Sequence, residues 1–472
     1  MTTLDPSELP AALIHVCKAI AAANGTAWLV GGSVRDMLLD IKPKDFDLEV
    51  YRIESEALQR VLNKLGRVEF VGRQFGVFKL WIADMEIDVA LPRTEKKTAQ
   101  GHRGFAIDSD PFLSPETASL RRDFTINALM LNPLTGDMLD FHGGYNDLTN
   151  NTLRHVSEAF NEDPLRPLRA MQFAARFKLR LDCGTAALCR KLITEAKSLP
   201  LSRIWSEWKK WSHAPHPSYG LQALIDSGWV DLYPELHALM DCPQNPRWHP
   251  EGDVWIHTLQ CCDQAAAIAL RNKLAFPARE QLVFAALCHD LGKPLSTSRN
   301  ELGDIISPGH SEAGIKPTIS LLHAIGAPTS LATYLAPLIR EHIAHLSGEP
   351  TERAIRRLAH RLEPANIERW EMLVEADASG RDPSPPSRPA LGWLKQAEKI
   401  HHHQQKAKPL LTGKTLLALG MAPGPAMGEV LRIAYNAQID GDITDLPTAM
   451  AWAKAHLSRK NTQGVQSTIR NN

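Results

Sequence analysis

No two of the seven cysteines stand in a Cys-x-x-Cys pair, and their number is odd. That argues against a zinc finger or a disulfide framework and for reduced, mostly buried thiols. No apolar run approaches the ~18 residues of a membrane-spanning helix. The start, Met1-Thr2-Thr3-Leu4-Asp5, lacks the basic region of a secretory signal, so the expected location is the cytoplasm with no membrane contact. Net charge is absent as well, since 53 Lys and Arg balance 53 Asp and Glu. The total gives no reason to expect a nucleic-acid partner, but the distribution does. Residues 151–215 carry 12 Lys and Arg against 6 Asp and Glu, which concentrates basic surface there.

What is present is length and an ordinary globular composition. With 472 residues, 44% hydrophobic and 22% charged, the chain should form several domains, because single cores stop growing near ~250–300 residues. The stretch Leu29-Val30-Gly31-Gly32-Ser33-Val34-Arg35-Asp36 reads as a strand turning sharply into a helix. Its glycine pair lets backbone N–H groups approach a phosphate closely. Asp45 and Asp47 follow in Asp-Phe-Asp-Leu-Glu-Val; two apart on a strand, they share a face and can hold a divalent metal. Paired carboxylates beside a phosphate seat suit metal-assisted phosphoryl chemistry. Taken singly, a Gly-Gly turn is more often only a turn, and an Asp-x-Asp is more often solvated.

Together, Gly-Gly-x-Val-Arg-Asp, a short helix and Asp-x-Asp resemble the head of the bacterial tRNA nucleotidyltransferase and poly(A) polymerase family, a polymerase-beta-like branch. The resemblance implies an α+β protein: a small mixed sheet with helices, then a mostly helical body. It makes Asp45 and Asp47 the catalytic carboxylates that hold Mg2+, with Gly32 and Arg35 binding nucleotide. Helical spacing at Leu58, Val61, Leu62 and Leu65 predicts a cover helix. Val68–Val71, Gly76–Ile82 and Met85–Ala90 read as strands. In such heads a third carboxylate often joins from a neighbouring strand, and Asp88 is the first candidate.

The run 91–104 is polar, basic and glycine-containing, which predicts a mobile surface loop. It resembles the flexible loop of CCA-adding enzymes, including Gly101-His102-Arg103-Gly104, and argues against a CC-only activity. Arg121-Arg122-Asp123-Phe124-Thr125-Ile126-Asn127-Ala128-Leu129 matches the family's second motif, in which Arg122 would contact the triphosphate through bidentate donors. The segment 132–148, with Gly143-Gly144, reads as a hairpin and turn.

Asp163 precedes Pro164, so on local grounds it is a candidate helix cap. Asp163, Arg166, Arg169 and Gln172 recur at threes and form one polar stripe. Cytosine and adenine both present an amine donor beside a ring-nitrogen acceptor, so one carboxylate and one guanidinium can select the two together. By resemblance, Asp163 and Arg166 form this protein template and Arg169 supports the nucleotide. Relatives often carry Arg where this chain has Gln172, which stays outside the proposed site. Further on, Ser202 is expected to cap a helix whose Trp205 and Trp208 are read as core.

A second set of residues begins after a proline-containing break at 241–245. Trp248-His249-Pro250-Glu251-Gly252-Asp253 leads to His257; Cys288-His289-Asp290-Leu291-Gly292-Lys293 follows; then come His310, His342 and Asp377. His-Asp between an apolar helix and Gly-Lys resembles the HD phosphohydrolase superfamily. Carried across, its metal set is His257, His289, Asp290 and Asp377, for a divalent transition metal of unspecified identity. His310 and His342 are candidates for substrate phosphate or a second metal, while His249 and Asp253 are read as structural or peripheral. Beyond a proline-rich link at 380–389, Leu411-Thr412-Gly413-Lys414-Thr415 lacks the upstream glycine of a phosphate-binding loop. His401-His402-His403 is read as a solvated face.

The expected division is a head at 1–150, a template and RNA-binding neck at 151–240, an HD domain at 241–385 and a helical tail at 386–472. The expected activity is addition of CCA to tRNA from CTP and ATP, with phosphohydrolysis in the HD domain. A poly(A) polymerase, or an A-adding enzyme working beside a CC-adding partner, is the alternative. The expected partners are tRNA, CTP and ATP; a homodimer is left open.

Overall fold

Leu29, Leu48, Phe78, Leu80, Ile87 and Val89 are all buried in one apolar cluster, and their strands explain why the head forms a sheet. The computed structural model describes residues 5–71, 77–97, 105–383, 385–401, 404 and 408–469. The chain divides into two compact units, Met1–His237 and Ala238–Asn472.

In the first unit, α1 (Ala11–Ala22) leads into β1 (Thr26–Val30), α2 (Gly32–Leu38), β2 (Phe46–Tyr51), α3 (Ser55–Leu62), β3 (Arg67–Val71), β4 (Val77–Ile82) and β5 (Met85–Ala90). Leu13, Val16 and Ile20 of α1 join Leu58 and Leu62 of α3 in the cluster on the sheet. The next strands are β6 (Arg93–Lys97) and β7 (Phe105–Ser109), followed by α4 (Pro115–Ser119), β8 (Met130–Leu131) and β9 (Met138–Leu139). The seven-stranded order is β3-β4-β5-β2-β1-β8-β9, with β2 and β5 parallel and the other pairs antiparallel. The mixed sheet and the three strands expected after α3 are thus present. Arg93–Lys97 departs from the loop expected there: it pairs antiparallel with Phe105–Ser109, which satisfies its backbone groups. The Gly101–Gly104 stretch lies outside the described residues.

The glycine pair expected in a turn instead opens a helix, α5 (Gly144–Thr149), with Gly143 as its left-handed cap at φ 73°. Then come β10 (Thr152–Leu153), α6 (Arg166–Phe177), β11 (Arg180–Leu181), α7 (Cys183–Lys191), α8 (Leu201–Ser212), α9 (Pro217–Asp226) and α10 (Pro234–His237). Ser202 is not the cap of α8, because the helix already begins at Leu201 after Pro200. Trp208 and Trp211 are fully buried, in edge-on contact at 5.2 Å, whereas Trp205 is half-buried.

The second unit is helical. Its first part holds α11 (Val254–Arg271), α12 (Phe276–Cys288), α13 (Lys293–Ser296), the short pair β12 (Ser298–Arg299) and β13 (Ile305–Ile306), α14 (His310–Ala313), α15 (Ile315–Ala324) and α16 (Thr329–Glu341). After α17 (Glu352–Arg361), α18 (Ile367–Ser379) and α19 (Leu391–Lys399), the tail forms α20 (Gly413–Ala418), α21 (Pro425–Asp440) and α22 (Leu446–Ile469). Leu416, Val430, Ala449 and Ala453 give the tail its own core. Thr412 and Thr415 form a capping box on α20, a structural use for the Thr-Gly-Lys-Thr run. The helix α22 continues past His456 to Ile469. His402 and His403 lie outside the described residues. No helix among the described residues is long and apolar enough to cross a membrane.

Candidate active sites

The first site is built by strand register. Val30 ends β1 opposite Asp47 of the antiparallel β2, and Asp47 in turn faces Asp88 of the parallel β5. The turn after Val30 therefore lies beside two carboxylates. Gly31 adopts φ 74°, a left-handed conformation that a side chain would strain, as it caps α2. A Cβ on Gly31 would lie 3.7 Å from Nη1 of Arg122, and one on Gly32 would lie 3.3 Å from Nη2 of Arg35. Two guanidinium groups thus border the turn.

Asp45 sits exposed just before β2. Asp47 opens to solvent at its edge, yet burial and then the neighbouring Asp88 push its carboxyl up to about 6. The Oδ1 of Asp88 is shielded from solvent and accepts no hydrogen bond; Lys79 Nζ stands 3.5 Å away. Crowded carboxylates with an orphaned oxygen fit a hard divalent cation, which oxygen ligands suit.

Arg122 is held by a residue that sequence reasoning missed. Glu49 is buried and accepts from Arg122 Nη2 at 3.0 Å, Arg121 Nη2 at 2.8 Å and the Tyr51 hydroxyl at 2.9 Å. Burial alone would raise the Glu49 carboxyl, but Arg122 and Arg121 outweigh it and hold it low. The signal was available in the alternation Asp45, Asp47, Glu49. Arg35 is more enclosed than expected for a ligand-binding residue: it donates to Asp36 and Asn127, and its guanidinium lies 4.2 Å from the Phe177 ring centroid. Asn127 donates to Asp123 at 3.0 Å, and Asp123 also accepts from Arg169 Nε at 2.8 Å. This network ties the glycine turn to α6.

In the template stripe, Asp163 caps a local turn by accepting from the Leu165 N–H at 3.0 Å, and its other oxygen pairs with Arg203 Nη2 at 3.0 Å. The helix α6 itself starts only at Arg166. Arg166 is buried and donates to the carbonyls of Ala159 at 2.9 Å and Arg121 at 2.6 Å. The two side chains are neighbours that do not bond each other through the described contacts, so each keeps a separate partner. Arg203 on α8 is the residue here that the sequence did not single out.

The second site gathers all four expected metal ligands. His257 comes from α11, His289 and Asp290 follow α12, and Asp377 lies on α18. His257 Nε2 is 3.3 Å from His289 Nε2, 3.2 Å from Asp377 Oδ1 and 3.7 Å from Asp290 Oδ2. His289 Nε2 is 3.2 Å from Asp290 Oδ2. The far nitrogen of His257 is fixed by Glu251 Oε1 at 2.8 Å and the Gly380 carbonyl at 3.0 Å, the outer support that metal-binding imidazoles characteristically have. Glu251 resists its burial through bonds from His249 and His257, which lower it to about 2. His249 therefore serves the site indirectly, and Asp253 caps α11 through the Ile256 N–H at 2.9 Å.

Lys293 Nζ lies 2.7 Å from Asp290 Oδ2, and Arg381 donates to Asp377 at 3.0 Å. Despite burial, His289 and Lys293 keep Asp290 well below the usual carboxylate range, and His257, His289 and Arg381 do the same for Asp377. His310 and His342 approach Asp290 Oδ1 at 3.5 and 3.9 Å and each other at 3.2 Å. Burial and then His289 push His342 down to about 4, so it stays neutral. Cavity space of about 770 Å³ opens onto Asp290, Asp377, His310, His342, Lys293 and the exposed Trp248. Convergent imidazoles and carboxylates in a shielded pocket fit a divalent transition metal.

The fold and the two sites define a nucleotidyltransferase head followed by a helical HD phosphohydrolase domain, and both domain types imply divalent metals. Residues 27–154 match the Poly A polymerase head domain and residues 254–378 the HD domain. The chain is 34% identical over 427 residues to the multifunctional CCA protein of Xanthomonas campestris pv. campestris, spanning 87% of this chain and 97% of that protein. It is 36% identical over 365 residues to the multifunctional CCA protein of Acinetobacter baumannii, 75% of this chain and 84% of that one. Its fold resembles the Bacillus stearothermophilus CCA-adding enzyme in complex with CTP, with TM-score 0.62, 18% identity, and 98% and 100% of the two chains covered. It also resembles the Thermotoga maritima CCA-adding enzyme complexed with tRNA, with TM-score 0.56, 20% identity, and 97% and 100% covered. The chain belongs to the family of multifunctional CCA proteins.

Proposed function

We propose that the chain adds C, C and A to the 3′ end of tRNA from CTP and ATP and hydrolyses phosphoesters at its HD site. The observation that carries this is the register placing Asp47 and Asp88 beside the Gly31-Gly32 turn, with Arg122 braced on Glu49.

The 3′ hydroxyl attacks the α-phosphorus in line; the new P–O bond forms as the bond to the β-phosphate oxygen breaks, and pyrophosphate leaves. Asp45 and Asp47, with Asp88 as third carboxylate, would hold magnesium, which when bound would supply positive charge beside the attacking hydroxyl and the leaving group. The Gly32 backbone and Arg122 orient the triphosphate, Arg122 through its fixed guanidinium plane, while Arg35, bonded to Asp36 and Asn127, braces the turn from beneath. Asp163 accepts from the exocyclic amine of cytosine or adenine, and Arg166 donates to the adjacent ring nitrogen. Arg169, anchored on Asp123, supports α6 beneath the nucleotide. Uracil and guanine would set like groups against each other at this edge and leave buried polar groups unpaired, which is how such sites reject the wrong partner.

At the HD site, His257, His289, Asp290 and Asp377 would hold a divalent metal, which when bound would supply Lewis acidity to a water near neutral pH. Lys293 and Arg381 offset the carboxylate charge so that a phosphate anion can enter. His310 and His342 present their Nε2 atoms at the cavity, where they can face phosphate oxygens. The favoured substrates are 2′,3′-cyclic or terminal phosphates of RNA.

Asp45→Ala and Asp47→Ala test the head. Each should abolish incorporation of labelled CTP into tRNA lacking its 3′ end, and near-normal incorporation by either variant would overturn the assignment.

A further inference from the structure

Single exposed apolar residues are ordinary on a protein surface. Trp248 is an aromatic one, 58% exposed, and it lines the same cavity as Asp290, Asp377, His342 and Lys293. The cavity space of about 770 Å³ falls inside the roughly 300–1,000 Å³ range of sites that enclose a whole organic ligand, far more than a phosphate alone requires. Ile305, Ile343, Leu346, Pro385 and Pro389 add apolar lining beside the charged groups.

The turn that carries the ring is fastened to the residues of the metal cluster. The Asn245 carbonyl accepts from the N–H groups of Trp248 at 3.0 Å and His249 at 2.9 Å, and the Asn245 side chain accepts from the Arg247 N–H at 3.0 Å. Before the turn, Gln244 accepts from Lys293 Nζ at 2.6 Å, and the same Nζ pairs with Asp290. After it, His249 bonds Glu251, which in turn supports His257. The Arg247 guanidinium carbon lies 4.9 Å from the indole centroid, a cation–π contact that steadies the ring and puts positive charge beside it. One cavity therefore joins a cluster suited to a phosphate with a fixed aromatic ring suited to a base.

We propose that Trp248 is the base-stacking platform of the HD site, so that its substrate is a nucleoside phosphate whose own base lies on the indole while its cyclic or terminal phosphate meets the metal-binding cluster. The inference rests on the phosphohydrolase reading of that cluster and narrows it. A phosphoester without a base is a poor substrate, and every base is accepted, because stacking uses the π face and not the hydrogen-bonding edge.

The metal-loaded full chain should hydrolyse adenosine 2′,3′-cyclic phosphate with kcat/KM at least ~10-fold above that for the five-membered cyclic phosphate of glycerol, which has no base. Trp248→Ala should erase this preference by raising KM for the nucleotide with little change in kcat, and Trp248→Phe should keep most of it. A short RNA ending in the cyclic phosphate should depend on Trp248 in the same way. Fluorine NMR of the chain labelled with fluorotryptophan reads the contact without turnover. The resonance missing from Trp248→Phe should move on addition of adenosine 2′-monophosphate and stay in place with inorganic phosphate. Equal use of the two cyclic phosphates by the native chain overturns the proposal, and so does a resonance that adenosine 2′-monophosphate does not move. An effect of Trp248 confined to the RNA would set the ring against an upstream nucleotide and overturn it as well. A native chain that hydrolyses neither cyclic phosphate while the resonance still moves removes the phosphohydrolase reading, and the proposal with it.

Discussion

In the metal-free head, Asp47 titrates near 6 because burial and the Asp88 charge both oppose its ionisation. The folded value lies above the ordinary 3.8, so this group favours the folded head most below about pH 4 and that contribution is lost as pH rises through about 6. Asp88→Asn removes the like charge. A carboxyl NMR titration of the metal-free variant should show Asp47 moving down toward its ordinary value, with the part due to burial remaining; an unchanged midpoint would count against the pairing. Glu49→Gln keeps the shape but removes the charge under Arg121 and Arg122. Hydrogen bonds to charged groups contribute ~1.5–3 kcal/mol, so KM for CTP should rise by roughly 10-fold or more, with a smaller effect on kcat. Asp45 and Asp47 were readable because their spacing is a motif. Glu49 continued the same alternation, but a buried brace leaves no signature distinct from an ordinary strand residue.

Elements were legible where periodicity alone decides them. Val68–Val71 and Met85–Ala90 emerged as strands, with Val68, Phe70, Ile87 and Val89 turned toward the core and Val71 left exposed. Errors fell where partners distant in sequence decide. Arg93–Lys97 carries polar residues that read as loop, but pairing with Phe105–Ser109 makes it a strand. Gly143-Gly144 read as a turn, but Gly143 caps α5 and Gly144 opens it against the Thr125 carbonyl, which a Cβ would meet at 2.2 Å. The close packing of α18 on α11 belongs to this scale too. Gly380→Ala must push against Cys261 and its backbone, so it should cost ~1–3 kcal/mol of stability in the second unit, the range for overpacked sites. Differential scanning calorimetry checks this, and an unchanged melt would contradict the contact.

For the whole molecule, the two sites draw on residues from separate compact units, and their ligand sets share no side chain. His289→Ala should therefore abolish release of phosphate from 2′,3′-cyclic or terminal RNA phosphates and leave nucleotide incorporation within about twofold of native, while Asp47→Ala should do the reverse. Loss of both activities in either variant would tie the sites together. Both candidate sites could be located in the sequence because each is built on a short ordered motif. The specificity of the head depends on how Asp163, now paired with Arg203, and Arg166, now on two carbonyls, meet a base. That question is answered most directly by incubating the chain with tRNA that lacks its 3′ end, CTP, ATP and magnesium, then sequencing the products. Growth by C, C and A that stops after three nucleotides is the expected result; long A tails, or A added only to tRNA already ending in CC, would contradict CCA addition.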